Sequence, residues 1–122
     1  MTHESVVRAY YRHIDAAAYD DLAALLAPEF VHERPDQTLS GRETFVRFMR
    51  EERPRTDTEH AVDAVYVPAD GEDDTGHDEG DLTEIVARGR LLAETGEELF
   101  GFVDVFRVDA DDALTALQTY TD

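Results

Sequence analysis

Apolar residues recur at helical spacing near the start of the chain. Val6, Val7, Tyr10, Ile14 and Ala17 fall on one side of a helical wheel, with Arg8, Arg12 and Asp15 elsewhere. The pattern predicts an amphipathic helix over roughly residues 3–17. A shorter helix follows, with Asp20 as its N-cap, Leu22, Leu25 and Leu26 as its apolar stripe and Pro28 as its stop. Phe30 to Arg34 predicts a short strand ended by Pro35. Ser40-Gly41-Arg42-Glu43 has the form of a capping box. It opens a third helix that carries Phe45, Phe48 and Met49 on one face and closes at Pro54. The remainder is strand-like, with strands expected over His60–Val67, Leu82–Ala93, Leu99–Val108 and Leu114–Tyr120. Glu94-Thr95-Gly96-Glu97 joins the second and third of these as a hairpin, and Asp109-Ala110-Asp111-Asp112 turns into the last. Helices followed by a meander predict the α+β class, with three N-terminal helices packed on one face of a curved antiparallel sheet.

One position breaks the apolar pattern. Asp104 lies in the run Leu99-Phe100-Gly101-Phe102-Val103-Asp104-Val105-Phe106-Arg107-Val108. Alternate residues of a strand share a face, so Asp104 is in phase with Phe100, Phe102, Phe106 and Val108. Desolvation raises a carboxyl above its ordinary value of about 3.9 and can keep it protonated near neutrality. A group of that kind donates a hydrogen bond or shuttles a proton. The same pattern also fits a buried carboxylate satisfied by backbone or by an arginine, and the sequence leaves both readings open.

Composition narrows the setting. The 122 residues are read as one domain with one core, interrupted by an exposed acidic loop at about residues 68–81. Asp and Glu number 29 against 11 basic residues, all of them Arg, for a formal charge of -18. Periodic apolar segments and 42% apolar residues argue against disorder. The balance reads as that of an extreme halophile's protein, since at molar salt the Debye length shrinks to about 3 Å and surface acids barely repel. Nucleic acid and anionic membrane surfaces are excluded as partners, because both require a basic patch. The absence of cysteine excludes disulfides, thiolate catalysis and Cys-ligated zinc. No apolar run is long enough to span a bilayer, and the start, Met1-Thr2-His3-Glu4, lacks a basic stretch leading into an apolar one. A cytoplasmic location is expected.

Several segments in order carry a family resemblance. They are Val6-Val7-Arg8-Ala9-Tyr10, the run from Tyr19-Asp20-Asp21-Leu22 through Ala27-Pro28-Glu29-Phe30-Val31-His32, and Ser40-Gly41-Arg42-Glu43. Phe102-Val103-Asp104-Val105-Phe106-Arg107-Val108 and the closing Tyr120-Thr121-Asp122 complete the set. Together they resemble the nuclear transport factor 2-like superfamily, closest to its SnoaL-like and ketosteroid-isomerase-like branch. The resemblance implies a cone in which the curved sheet wraps around the helices and leaves an interior pocket, and it implies a homodimer formed through the sheet. Tyr10 falls on the pocket Tyr of ketosteroid isomerase and Asp104 on its pocket Asp, the protonated acid that binds the oxyanion beside that Tyr. Arg34 stands where that enzyme has its proton-shuttling Asp, so steroid isomerisation is not expected. SnoaL-like polyketide cyclases use an Asp on a late strand as acid and base, and Asp104 is the candidate for that role.

A Tyr10 hydroxyl and a protonated Asp104 converging on a carbonyl oxygen would stabilise a developing enolate. His32 and Arg34 share a face of their short strand, and with Phe102 they are the candidate ligand-binding residues. In a pocket, Arg34 would clamp an anion or pair with Asp104, and His32, ordinarily near pH 6.5, would act as a base. Outside one, His32 is half-core and Arg34 pairs with a surface acid. Arg88 and Arg90 share a strand face, placed for salt bridges across the sheet or at a dimer interface. The loop from Asp70 to Asp81 departs from the EF-hand pattern, with Thr75 where glycine is required, and reads as a solvated loop. His3, His13, His60 and His77 lack zinc-site spacing, and His60, alternating with Val62 and Tyr66, reads as core packing. The expected ligand is a small apolar molecule carrying a carbonyl, with no metal and no cofactor. The expected chemistry, if the chain is an enzyme, is proton transfer of the isomerase or cyclase type. The alternative is a non-catalytic ligand-binding or dimerisation module. Such a module would have Asp104 paired off and a cavity below about 300 Å³.

Overall fold

The computed structural model describes residues 2–52, 57–68 and 82–121. Pro54, expected to close the third helix, and the candidate cation loop at 70–81 lie outside the described residues. The first helix, α1 (His3–Asp15), starts at Thr2. Its Oγ1 accepts the Ser5 N–H at 3.0 Å, while the Ser5 Oγ accepts the Thr2 N–H at 2.9 Å. The helix ends short of residue 17 because Ala17 adopts a left-handed conformation, φ 56°, which reverses the chain. The second helix, α2 (Tyr19–Ala24), is preceded by Ala18 with no side-chain cap. Asp20 is therefore not the cap. It lies with Asp21 in the first turn, where negative charge suits the helix dipole.

Pro28 does not stop that helix either. The chain is already extended there, as β1 (Leu26–Glu33). Pro28 falls where the pairing of β1 shifts register, between Leu26 and Val31, a place where a missing N–H is tolerated. A short strand unforeseen in the sequence, β2 (Thr38–Ser40), pairs antiparallel with β1 and takes up Ser40. The expected capping box is thereby lost. The residue before α3 (Arg42–Arg47) is Gly41, at φ 97°, and no side chain caps the helix. A π-helical turn, Phe48–Glu52, continues α3 and buries Phe48 and Met49.

Four strands then form the expected meander: β3 (Glu59–Tyr66), β4 (Thr83–Leu92), β5 (Glu98–Val108) and β6 (Leu114–Thr121). Gly96, at φ 95°, turns the β4–β5 hairpin. The six strands lie in the order β2-β1-β6-β5-β4-β3 in a curved, unclosed sheet. All neighbours are antiparallel except β1 and β6, which are parallel, a feature the meander pattern does not contain. The core lies between the helices and the inner face of the sheet, around Val7, Ile14, Phe30, Phe45, Phe106 and Leu117. On β5 the alternation holds, with Phe102, Asp104, Phe106 and Val108 turned inward and buried. On the outer face, Arg90 grips Asp63 through two hydrogen bonds of 3.0 and 3.2 Å, and Arg88 donates to the Tyr66 hydroxyl at 3.3 Å.

Gly89 lets β3 and β4 approach beside the inner face. A Cβ at that position would collide with the Ala61 carbonyl oxygen and lie 2.9 Å from Phe102 Cζ. Gly89→Ala is expected to destabilise the protein by about 1–3 kcal/mol, the usual range for overpacking. The measurement is the urea midpoint at unchanged m-value. An unaltered midpoint would mean that the two strands part without cost.

Candidate functional site

A cavity of about 260 Å³ opens between α1, β1 and strands β3 to β6. All five residues singled out in the sequence, Tyr10, His32, Arg34, Phe102 and Asp104, line it. Asp104 is 5% exposed, and its cross-strand neighbours are Ala87 on β4 and Thr119 on β6. The Tyr11 hydroxyl donates to Asp104 Oδ2 at 2.5 Å, and the Thr119 hydroxyl donates to Oδ1 at 2.6 Å. Burial pushes the Asp104 carboxyl above its ordinary range, against the opposing pull of the Thr119 and Tyr11 hydroxyls and of the nearby His60 and Arg34 side chains. Among the described residues, no arginine pairs with it. Burial, reinforced by Asp104, holds the Tyr11 phenol well above its ordinary value, so it remains a donor.

The phenol bonded to Asp104 is thus Tyr11, not Tyr10. Consecutive helical side chains diverge by about 100°, so the two rings leave α1 in different directions. Tyr11 reaches β5 behind the carboxyl, outside the cavity lining. Tyr10 lines the cavity itself, its ring stacked near Phe45 and edge-on to Phe106.

His32 is 3% exposed and extends the network. Its Nε2 lies 2.8 Å from Thr119 Oγ1, so His32, Thr119, Asp104 and Tyr11 form one chain of hydrogen bonds. Burial, with the Arg34 charge beside it, lowers the His32 pKa to about 3. The imidazole is therefore neutral, and its Nδ1 is buried without a partner among the described residues. The single hydroxyl hydrogen of Thr119 couples the two ends of this chain. When it goes to an ionised Asp104, His32 donates from Nε2. When Asp104 carries a proton and donates it to Thr119, the hydroxyl hydrogen turns to His32 Nε2, and the imidazole hydrogen sits on Nδ1.

Arg34, at the end of β1, does not lock Asp104. Its guanidinium carbon sits 5.0 Å from the centre of the Phe48 ring, and its Nε is buried with no hydrogen-bond acceptor among the described residues. The carboxylate of Asp36 is 3.5 Å away, close enough for charge attraction only. His60 is not simple core packing. It lines the cavity, its Nδ1 lies 2.7 Å from Asp15 Oδ1, and its backbone N–H donates to Asp15 Oδ2 at 3.0 Å.

Tyr11, Thr119, Asp15 and His60 are the site residues missed in the sequence. For Asp15 a signal was available. An acid in the last turn of a helix opposes the dipole at a cost of about 0.3–1 kcal/mol, so its presence there asks for a partner elsewhere. Among the described residues, no group of three or more His, Asp or Glu side chains could hold a metal ion. No helix among them is long and apolar enough to cross a membrane.

The family model of the SnoaL-like domain matches residues 7–117. No sequence among curated proteins matches the chain. Solved structures share its fold. An NTF2-like protein of unknown function from Cytophaga hutchinsonii superposes with a TM-score of 0.74 at 11% identity, covering 100% of this chain and 91% of that one. A protein named as a candidate ketosteroid isomerase from Kribbella flavida gives 0.68 at 20% identity, covering 98% and 77%. An Orange Carotenoid Protein binding canthaxanthin, from Anabaena (Nostoc) sp. PCC 7120, gives 0.75 at 17% identity, covering 94% of this chain and 35% of that one. At such identities the likeness is one of fold.

Proposed function

The chain belongs to the SnoaL-like domain family, and from that premise we propose that it binds a small apolar molecule bearing a carbonyl oxygen and moves a proton on it without a cofactor. One observation carries this reading: a buried carboxyl lines a cavity with hydroxyls, and no arginine among the described residues, bonded to it. Asp104 is the acid and base. Tyr10, on the cavity wall, is the phenol a ligand oxygen meets. Arg34 and His32 orient the ligand, and Phe102 supplies apolar wall. The substrate is smaller than a steroid, because the cavity, about 260 Å³, lies just under the size of about 300 Å³ at which ligand pockets usually begin, the side of that mark expected of a binding module. The charge of -18 without lysine supports a setting of molar salt, and the exposed Tyr66 and Tyr120 on the outer face of the sheet support a homodimer.

A binding module is the second reading. It draws support from the same modest volume and from the engagement of both Asp104 oxygens. A neighbour of the same fold, the Orange Carotenoid Protein, is a ligand binder.

The test is a thermal-shift screen of small ketones, enones and phenols in molar potassium chloride, with wild type and Arg34→Gln side by side. Oxygen-bearing compounds are expected to raise the wild-type Tm, since a ligand at 100 times its Kd adds about 2.7 kcal/mol. Arg34→Gln is expected to weaken them about tenfold, because the buried Nε loses its role as donor. A screen without binders, or one in which both proteins bind alike, rejects the proposed pocket role.

A further inference from the structure

We propose that Asp15 and His60 form the second half of this centre, His60 as the general base that takes the substrate proton and Asp15 as the residue that positions it. The inference rests on the reading of Asp104 as the acid. Two imidazoles line the cavity, and they differ in kind. His32 is tied through Nε2 to the Thr119 hydroxyl, and its Nδ1 is buried with no carboxylate or other partner among the described residues. His60 is tied through Nδ1 to Asp15 Oδ1 at 2.7 Å, which leaves Nε2 without a partner among the described residues on a ring that borders the cavity. A carboxylate on one imidazole nitrogen fixes the tautomer and leaves the other nitrogen as a lone-pair base.

The arrangement is built into the fold. β3 is an edge strand, so the outward backbone N–H of His60 has no further strand to pair with, and it donates to Asp15 Oδ2 at 3.0 Å. Both oxygens of Asp15 are thereby committed to one residue. The ring is held from its flanks by Tyr11 and Phe102, with centroids at 5.1 and 5.6 Å. A tie between α1 and β3 alone would need neither the second hydrogen bond to the ring nor a ring at the cavity wall. Tyr11 links the two halves, since it bonds Asp104 with its hydroxyl and packs on His60 with its ring.

The chemistry closes without a co-reactant. His60 Nε2 takes a proton from the carbon beside the substrate carbonyl, and protonated Asp104 gives its proton to the carbonyl oxygen, forming an enol. The imidazolium returns its proton to the far carbon of the enol's conjugated system while Asp104 recovers its own. A carbon–carbon double bond moves into conjugation and both residues end as they began.

The test follows conversion of 3-cyclohexen-1-one to its conjugated isomer by ultraviolet absorbance, with wild type, His60→Gln, Asp15→Asn, Asp15→Glu and Asp104→Asn. Binding of 2-naphthol, read by its fluorescence, shows that each variant keeps its pocket. His60→Gln is expected to lower kcat about 100-fold or more with naphthol binding retained. Asp15→Asn is expected to lower kcat about tenfold at unchanged KM, with Asp15→Glu restoring most of it. Nitrogen-15 spectra are expected to place the His60 hydrogen on Nδ1 in wild type and to redistribute it in Asp15→Asn. Wild-type kcat in His60→Gln together with loss in Asp104→Asn overturns the base assignment and leaves the Asp104 reading standing. Wild-type kcat in both, or a wild-type rate no faster than buffer, removes both readings.

Discussion

Asp104→Asn is expected to lower turnover by roughly 10²–10⁴, the usual contribution of a positioned proton-transfer group, while leaving the fold intact. The replacement is close to isosteric, so packing against Phe102 and Phe106 on the same strand face is kept. Its hydrogen bonds also survive. The amide oxygen accepts from Tyr11, and the amide NH₂ donates to Thr119, whose hydrogen then turns to His32 Nε2. Asn therefore imitates the protonated acid, with one difference: it can neither release nor recover a proton. Urea unfolding should show stability equal to or above that of wild type near neutrality, because burial of a charge is no longer required. Turnover of an identified substrate within a few-fold of wild type would remove Asp104 from the chemistry.

Acid is expected to unfold the protein through His32. Its folded pKa is depressed to about 3, whereas the unfolded chain takes the proton near 6.5. The stability that comes with a neutral His32 is complete above about pH 6.5 and disappears as the pH falls toward 3. Over the whole window the loss is on the order of 4–5 kcal/mol. Asp104 works in the opposite sense. Its folded pKa is raised, so the folded chain takes that proton first and the cost of burying the carboxylate is relieved as the pH falls. The wild-type acid limb is the difference between the two. Urea midpoints over a pH series should therefore fall more steeply in Asp104→Asn, where only the His32 contribution remains, and more gently in His32→Gln. The reverse order would show that His32 is protonated in the folded state.

Much of this was visible in the residue pattern, and the parts that were not share a cause. Periodicity located α1 and the strands β3 to β6, most clearly β4 and β5, whose buried positions alternate along the strand. It marked Asp104, since an acid in phase with aromatics is conspicuous. Local motifs failed where pairing between distant segments overrode them. Ser40 has the right neighbours for a capping box, yet β1 recruits it into β2. Pro28 has the look of a helix stop, yet the chain had already become a strand. Thr119 is the clearest case. The turn at Asp109–Asp112 sets Val108 against Leu114, and without interruption that register would bring Gln118 opposite Asp104. A bulge between Arg107 and Val108 advances the pairing by one residue, so Thr119 faces the carboxyl and Gln118 faces out. Tyr10 and Tyr11 are equally buried, and no count of apolar positions distinguishes the ring that meets the carboxyl from the ring that meets the cavity.

The parallel partnership of β1 with β6 gives the site a timetable. His32 is synthesised early and Thr119 late, and they become neighbours only when the last strand slides in beside the first. Until then the imidazole lacks its Thr119 partner, and the Asp104 carboxyl lacks one of its two hydroxyl donors. A chain halted before β6 would lack the strand that lies between β1 and β5, and with it the Thr119 link between His32 and Asp104. The proposed chemistry therefore waits on the last strand.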